Sequence, residues 1–364
     1  MKELKNKIVF ESFSDFSDNT RTLFDYLIEQ NMNQNYEMIW LVENPKKFEN
    51  IKIKNVEFSY VEPKNEDEYE HMKQNIEDAK FLIGSNRNIK KFDERQIYIN
   101  LWHGTLLKKL IDYKIDNANW DFLLCPSEFF SDIYERELRI PKEKLIYFNN
   151  PRNDDLWIKN NALDKLYPNQ KFKKFVLWMP TYRQHRTGTN IDSKKDFTFG
   201  IPIFNTIDEL EKIDKILQQK ETLLVLKVHP SQDLSKIKIN SMTNIKVLKN
   251  DELEDKNIKL YNLIAESDAL ITDYSSVYYD YMILDRPIGF TIDDFKEYKG
   301  YVFEEPLEYM PGAHITNYNE FEKFIFEILK ENDQYKEKRR KLNKIFNKYS
   351  DNKNSERITE FLKL

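Results

Sequence analysis

Two histidines in this sequence directly follow apolar runs, a position from which a side chain can reach a bound substrate. His103 lies in "NLWHGT" and His229 lies in "LVLKVHP". Near neutral pH a histidine can take a proton from a hydroxyl, or it can act as a donor or a cation on a phosphate. The small Gly104 would let a substrate approach His103 closely. The alternative for either ring is a structural hydrogen bond to a nearby backbone carbonyl.

The stretch "LITDYSSVYYD", residues 270–280, places carboxylates and hydroxyls where an apolar run turns into a helical pattern. Ser275 or Ser276 can cap that helix, whose free N–H groups and positive dipole end attract an anion. Asp273 and Asp280 flank the two serines. We interpret the stretch as a phosphate site, with plain helix capping as the alternative. It contains neither the glycine pattern of a dinucleotide fold nor that of a P-loop.

Basic and hydroxyl side chains follow two further apolar runs. Thr181 and Arg183 lie in "WMPTYRQHR", and Lys227 ends the run "TLLVLK". Arginine binds phosphate through a planar fork of N–H groups, although surface arginines are ordinary in any protein. The sequence has no HExxH, no cysteine pair and no D-x-D between apolar runs, so we predict no metal site. The adjacent Asp293 and Asp294 are expected to face solvent in a loop.

Short apolar runs alternate with helical patterns along the chain, and these elements must position the polar groups. The strand candidates are "NKIVFES", "YEMIWLVE", "AKFLIGS", "QIYINLWHG", "DFLLCPS", "KLIYFNNP", "KFVLWMPTYR", "TLLVLKVHP", "NIKVLK", "ALITDYSS" and "RPIGF". Runs that are apolar on both faces are typical of a sheet covered by helices. Such sheets bind ligands beyond the carboxyl ends of their strands. The polar residues named above occupy that position, as does the segment 151–154.

The runs form two consecutive series separated by a polar stretch near residues 155–172. This pattern predicts two doubly wound α/β domains, for which a chain of 364 residues has the length. A helix is predicted from about Tyr318. Its apolar face would comprise Phe321, Phe324, Ile325, Ile328 and Leu329.

Composition narrows the class of protein. The formal net charge of −5 argues against a general nucleic-acid-binding protein. The single Cys125 forms no internal disulfide, fits a reducing compartment and is expected to be buried. The sequence shows no signal peptide and no run as long as a membrane span, so we predict a cytoplasmic protein. The segment Lys336–Lys348 holds seven Lys or Arg residues. It could lie on the inner face of an anionic plasma membrane as a peripheral helix, with a packed C-terminal helix as the favoured alternative.

Six segments occur in a family-specific order: "LWHGTLLKKL", "NNPRNDDL", "WMPTYR", "LKVHP", "ITDYSSVYYDYMILDRPIGF" and "EEPLEYMPG". Together they resemble the CDP-glycerol glycerophosphotransferases, which include teichoic-acid primases and polymerases and related capsule enzymes. The resemblance implies a GT-B fold, in which two Rossmann-like doubly wound domains face a central cleft. We expect an N-terminal acceptor-side domain over residues 1–160, a CDP-donor-binding domain over 161–335 and a basic helical segment over 336–364.

The resemblance also implies a reaction. Glycerol phosphate or ribitol phosphate would pass from CDP-glycerol or CDP-ribitol to a hydroxyl of a lipid-linked or glycan acceptor, releasing CMP without a metal or other cofactor. By match to "WHG", His103 would take the acceptor proton. By match to "KxHP", His229 would hold the donor pyrophosphate and stabilise the leaving CMP. The implied donor site comprises Ser275, Ser276 and Arg183 on phosphate, Asp273 and Asp280 shaping the site, and Thr181 and Lys227 at the neighbouring strand ends.

Two other functions stay open at the level of sequence. A GT-B glycosyltransferase that moves a sugar from a nucleotide donor would use the same two-domain layout. A non-catalytic nucleotide-sensing protein could have kept the fold, although the presence of both His103 and His229 argues against it. Tyr279 stands where the resemblance predicts Phe. The chain begins almost at once with its first β/α unit, which favours a short, primase-like or capsule-type transferase.

Overall fold

The computed structural model describes residues 3–110, 117–181, 195, 197–228, 237, 239, 242–298 and 300–364. The chain divides into two compact units. The first unit comprises Met1–Thr105, Asp112–Asp155 and Phe346–Leu364, and the second comprises Leu106–Ile111 and Leu156–Ile345. Each unit contains its own parallel β-sheet.

Strands and helices alternate through most of the chain. The strands are β1 (Lys5–Glu11), β2 (Glu37–Val42), β3 (Val56–Tyr60), β4 (Ala79–Gly84), β5 (Ile97–Asn100), β6 (Phe122–Cys125), β7 (Leu145–Tyr147), β8 (Lys174–Trp178), β9 (Thr222–Lys227), β10 (Ile245–Leu248), β11 (Ala269–Thr272), β12 (Ile288–Thr291) and β13 (Ala313–Ile315). The helices are α1 (Asp18–Glu29), α2 (Glu66–Glu77), α3 (Ser131–Leu138), α4 (Ala162–Leu166), α5 (Ile207–Gln219), α6 (Asn250–Asp255), α7 (Leu260–Glu266), α8 (Val277–Tyr281), α9 (Tyr318–Leu329), α10 (Lys336–Phe346) and α11 (Asn354–Leu362).

Both sheets are doubly wound. The strand order is β3-β2-β1-β4-β5-β6-β7 in the first unit and β10-β9-β8-β11-β12-β13 in the second, and the neighbouring strands are parallel. The order reverses between β1 and β4 and again between β8 and β11. The strand ends beside such a reversal form the crevice where doubly wound folds bind ligands. The prediction of two Rossmann-like α/β units is confirmed.

Each sheet has its own hydrophobic core. In the first unit, Phe10 of β1 stacks on Trp40 of β2 with 5.3 Å between ring centroids. In the second unit, the ring of Trp178 at the end of β8 lies 5.3 Å from that of Phe321 on α9. The predicted apolar face of α9 is buried at Phe321, Phe324, Ile325 and Ile328, while Leu329 is half-buried. The predicted helix is therefore confirmed, and burial of this face holds α9 against its sheet.

The sequence did not predict β3 or β13. Each strand lies at the edge of its sheet. The residues of β3, "VEFSY", are mostly half-exposed, and β13 has three residues. Edge strands are short and partly polar because they have only one neighbouring strand. They therefore lack the long apolar run that marked the central strands.

The basic segment that contains α10 makes specific contacts in the second unit. The guanidinium of Arg339 is fully buried and pairs with Asp285 at 3.0 Å and with Asp333 at 2.5 Å. Arg340 pairs with Asp285 at 2.7 Å. These contacts support the packed helix over a free basic face. Over the residues that the structure describes, no helix has the length and hydropathy to cross a membrane.

Candidate active site

His103 sits on a tight turn that follows β5. Trp102, directly before it, has φ 52°, and Gly104, directly after it, has φ 149°. Positive φ is unfavourable for a residue as large as tryptophan, so other contacts must hold the turn. The backbone N–H of Trp102 donates to Asn100 Oδ1 at 2.8 Å, and Asn19 Nδ2 donates to the Trp102 carbonyl at 2.9 Å. The turn therefore presents His103 in a fixed orientation.

An ion pair holds the next carbonyl of the same turn. Arg152 Nη1 donates to the backbone oxygen of His103 at 3.0 Å and to Asp18 Oδ1 at 2.8 Å. The Arg152 side chain is 8% exposed, whereas that of Asp18 is 23% exposed. The backbone N–H of Arg152 donates to Asn19 Oδ1 at 3.3 Å. Residues from the start of α1 and from the segment after β7 thus fix the His103 backbone.

His103 is exposed, and the Ser85 backbone acts on its ring as a hydrogen-bond acceptor. Surrounding protein atoms desolvate the ring despite this exposure, and this lowers its pKa. Asp18 and the bond to Ser85 raise that pKa, while Arg152 lowers it. A neutral imidazole that commits one N–H to a carbonyl presents its other nitrogen as an acceptor. The geometry therefore suits His103 to act as a base.

In the second unit, Asp273 joins the two strand ends beside the reversal of the sheet. The Asp273 carboxylate is fully buried. It accepts the Thr181 backbone N–H at 2.8 Å and the Thr181 hydroxyl at 2.6 Å. Asp273 follows β11 and Thr181 lies beyond β8, so the carboxylate fixes the backbone between them. Thr181 and Asp273, both predicted from sequence, are thus brought together.

The two serines of the motif lie between β11 and α8. Both are half-buried. Ser275 Oγ accepts the Val277 N–H at a long 3.5 Å, and Ser276 occupies the N-cap position of α8 without a side-chain capping bond. Helix capping therefore engages these two hydroxyls only weakly. Each hydroxyl can donate a hydrogen bond to an oxyanion.

Asp280 faces the interior of the second unit. It is 1% exposed and accepts a short hydrogen bond from the Tyr261 hydroxyl. The neighbouring Tyr279 is fully buried, and its hydroxyl lies 3.4 Å from the Leu106 carbonyl. The structure thus places Asp280 against α7 and the two serines at the start of α8.

Lys227 ends β9 with its amino group inside the protein. The residue is 5% exposed, and Nζ donates to Asn250 Oδ1 and, at 3.0 Å, to the Val228 carbonyl. Burial lowers the pKa of Lys227 to about 8, although carboxylates of α6 act in the opposite direction. With this pKa, Lys227 is mostly protonated at neutral pH and loses its proton at slightly higher pH. The predicted residues His229 and Arg183 lie outside the described residues.

Several contributors to the site carried no signal in the sequence. Asp18 and Asn19 open α1, far along the chain from His103, and nothing in their local pattern indicated a contact with it. The expectation that Asp293 and Asp294 face solvent is wrong. Asp294 is fully buried and accepts the Tyr274 hydroxyl at 2.9 Å, and Asp293 accepts Lys195 Nζ at 2.8 Å. Both carboxylates hold loops of the second unit.

Cys125 is buried, as predicted. Among the described residues, no group of three or more His, Cys, Asp or Glu side chains is arranged to hold a metal ion.

Comparison with known families gives a match over nearly the whole chain. The model of the family CDP-Glycerol:Poly(glycerophosphate) glycerophosphotransferase matches residues 2–364. The chain is 30% identical to a teichoic acid poly(glycerol phosphate) polymerase of Bacillus spizizenii, over 80% of this chain and 75% of that protein. It is 26% identical to a teichoic acid glycerol-phosphate transferase of Staphylococcus aureus, over 98% of this chain and 92% of that protein. It is 27% identical to a polymerase of Staphylococcus epidermidis over 91% of this chain, but the match spans 47% of that protein.

Solved structures also match over nearly the whole chain. A variant of the wall teichoic acid polymerase TagF, soaked with CDPG, superposes with a TM-score of 0.76 at 25% identity, covering 99% of this chain and 89% of that one. A UDP-N-acetylglucosamine 2-epimerase from Listeria monocytogenes superposes with a TM-score of 0.58 at 14% identity, covering 99% of this chain and 98% of that one. At this identity the likeness shows only a shared fold. Together with the two parallel sheets, these matches confirm the GT-B fold and the resemblance drawn from the motifs.

Proposed function

Because this chain belongs to the CDP-glycerol:poly(glycerophosphate) glycerophosphotransferase family, we propose that it transfers a polyol phosphate from a CDP-activated donor to an acceptor hydroxyl. The group moved is glycerol phosphate or ribitol phosphate. The acceptor is a lipid-linked primer or a glycan in teichoic acid or capsular polymer synthesis. Support comes from the similar proteins, which are named as teichoic acid polymerases and transferases, and from a TagF variant that was soaked with CDPG.

The observation that carries the proposal is the held turn of His103. Its backbone carbonyl is fixed by Arg152, and Asn100 and Asn19 hold the Trp102 backbone directly before it. In the proposed reaction, the free ring nitrogen takes the proton of the acceptor hydroxyl. The hydroxyl oxygen attacks the phosphorus that carries the polyol, the bond from this phosphorus to the bridging oxygen breaks, and CMP leaves with that oxygen. A positioned base of this kind contributes about 10²–10⁴-fold to the rate.

The second unit is proposed to bind the donor. Phosphoryl transfer depends mainly on positioning and on stabilising charge on oxygen. Ser275 and Ser276 supply hydroxyl donors, and Lys227 supplies a positive charge at a neighbouring strand end. Thr181 and Asp273 hold the backbone beside them. His229 and Arg183 complete the proposed donor site, with His229 on the pyrophosphate and the leaving CMP, while Asp280 shapes it.

A lipid-linked acceptor would bring the enzyme to the inner face of the plasma membrane as a peripheral protein. On α10, Arg339 and Arg340 are engaged with carboxylates of the second unit. Lys336, Lys341 and Lys344 are exposed on the same helix and could face anionic lipid.

The test measures CMP release by the purified protein with CDP-glycerol and, separately, with CDP-ribitol. A membrane extract supplies acceptor, and EDTA is present throughout. We expect release from one donor and its loss in His103→Ala, which should still bind that donor in calorimetry. Ser275→Ala should instead weaken donor binding. The reverse pattern would reject the assignment of base and donor site to the two units.

Two other outcomes are informative. No CMP release from either donor would reject the phosphotransferase. A glycosidic product without a phosphodiester, obtained with a nucleotide sugar, would establish the glycosyltransferase alternative.

A further inference from the structure

A fully buried carboxylate ends the first strand of the first unit and belongs to none of the predicted site residues. Glu11 lies at the carboxyl end of β1, where the strand order reverses toward β4. Its Oε2 accepts three consecutive backbone N–H groups, from Ser85 and Asn86 at 3.3 Å and from Arg87 at 3.1 Å. Its Oε1 is buried and has no hydrogen-bond partner among the residues that the structure describes.

The loop that Glu11 holds, residues 85–89, has a second buried anchor. The Tyr98 hydroxyl donates to the Arg87 carbonyl at 2.8 Å and accepts the Ile89 N–H at 3.1 Å. Gly84 leads into this loop, and a Cβ added there would lie 2.7 Å from the Tyr98 hydroxyl and 3.2 Å from Glu11 Oε2. Both anchors therefore require glycine at the end of β4, and they leave the loop little freedom.

This loop adjoins the turn that carries His103. The Leu101 N–H, at the start of that turn, donates to the Gly84 carbonyl at 2.7 Å. The Ser85 backbone acts on the imidazole as a hydrogen-bond acceptor that raises its pKa, and the Ser85 N–H is held by Glu11. Fixing the carbonyl fixes both the tautomer and the direction of the ring, because the second ring nitrogen then points away from Ser85. A chain of contacts thus runs from the Glu11 carboxylate through one peptide to the proposed base.

The protein holds this carboxylate at a cost in stability. A buried oxygen without a partner costs stability. Such departures from good packing chemistry are typical of functional sites.

We propose that Glu11 is a positioning residue for His103, acting through the loop 85–87 and the Ser85 carbonyl. This inference rests on the proposed function in that His103 is taken as the base. The action is geometric. The charged groups that act on the His103 ring are Asp18 and Arg152, whereas the groups that face Glu11 are Arg87 and Tyr98.

The test compares Glu11→Ala with Glu11→Gln, whose amide oxygen can still accept the three N–H groups. In Glu11→Ala, kcat for CMP release should fall about 10²-fold, the cost of misplacing a reacting group by about 1 Å. The donor KM should stay nearly constant. Because the bond to Ser85 raises the pKa of His103, its loss should move the acidic limb of kcat/KM to lower pH. Glu11→Gln should restore most of kcat and the wild-type limb.

Asp78→Ala is the matched control. Asp78 is another buried carboxylate of the first unit, but it precedes β4 and pairs with Lys7 at 2.5 Å. Loss of Asp78 should lower the unfolding temperature without moving the acidic limb of kcat/KM. If Glu11→Ala behaves like this control, losing stability while keeping its kcat and pH limb, the positioning role is rejected.

A readout that needs no catalysis separates this inference from the proposed function. The ring pKa of His103 can be measured by NMR titration in the wild type and in Glu11→Ala, with His103→Ala assigning the signal. A lower pKa in Glu11→Ala supports the coupling even if neither donor is turned over. An unchanged pKa in a folded variant overturns it even if the wild type releases CMP.

Discussion

The ion pair beneath His103 offers a test in which two substitutions must act in opposite directions. Arg152→Met keeps the length of the side chain and removes the charge. Arg152 lowers the pKa of His103 and Asp18 raises it. Arg152→Met should therefore raise this pKa, and Asp18→Asn should lower it. Asn suits position 18, where φ is 58°, because asparagine tolerates the left-handed region.

The size of the stability effect follows from the contacts. Arg152 makes two bonds to Asp18 and one to the His103 carbonyl, at 2.8–3.1 Å. A hydrogen bond to a charged group contributes about 1.5–3 kcal/mol. The Asp18 side chain is 23% exposed, so water can solvate it after the loss of its partner. We expect Arg152→Met to lower the free energy of unfolding by about 2–3 kcal/mol. This value is near the lower end of the cost of removing one partner of a buried ion pair.

The assay is the pH dependence of kcat/KM for CMP release, with the ring pKa from NMR as an independent measure. A base must be unprotonated to act, so activity is lost as the pH falls through its pKa. Arg152→Met should move the acidic limb to higher pH and Asp18→Asn should move it to lower pH. The double variant, which lacks both charges, should lie between them. Shifts of the same sign in both single variants would refute the electrostatic reasoning.

The remaining predictions concern the second unit. Asp273→Ala should lower the free energy of unfolding by about 2–3 kcal/mol and weaken donor binding in calorimetry, because the Thr181 N–H and hydroxyl lose their acceptor; Asp273→Asn, which keeps one acceptor, should lose less. The native pKa of Lys227 is depressed, so the native state binds fewer protons than the unfolded chain between about 8 and 10.5, and Lys227 adds stability as the pH rises through this window. Urea unfolding across that range should show this gain in the wild type and not in Lys227→Met. If the free energy of unfolding changes equally with pH in both proteins, the prediction is contradicted. Arg339→Met should lower the free energy of unfolding by about 3 kcal/mol, because Asp285 and Asp333 lose a buried partner. The exposed Arg340→Met serves as its control and should change stability by about 0.5 kcal/mol or less.

Strand positions in the centre of each sheet could be predicted because their apolar runs reflect burial on both faces. The runs "NKIVFES" and "ALITDYSS" correspond to β1 and β11, which flank the two reversals of strand order. The edge strands β3 and β13 were missed because short, half-exposed segments lack that pattern.

The sequence by itself determined which residues follow the strands, and therefore that His103, Asp273 and the two serines lie at carboxyl ends of parallel sheets. It also carried the motif order that places the chain in its family. Only the tertiary structure decided what holds these groups. The Arg152 bond to Asp18 joins residues 134 positions apart, and the Glu11 bond to Ser85 joins residues 74 apart. Such contacts leave no local periodicity, because a buried acid and a solvated one look the same in sequence until the fold supplies their partners.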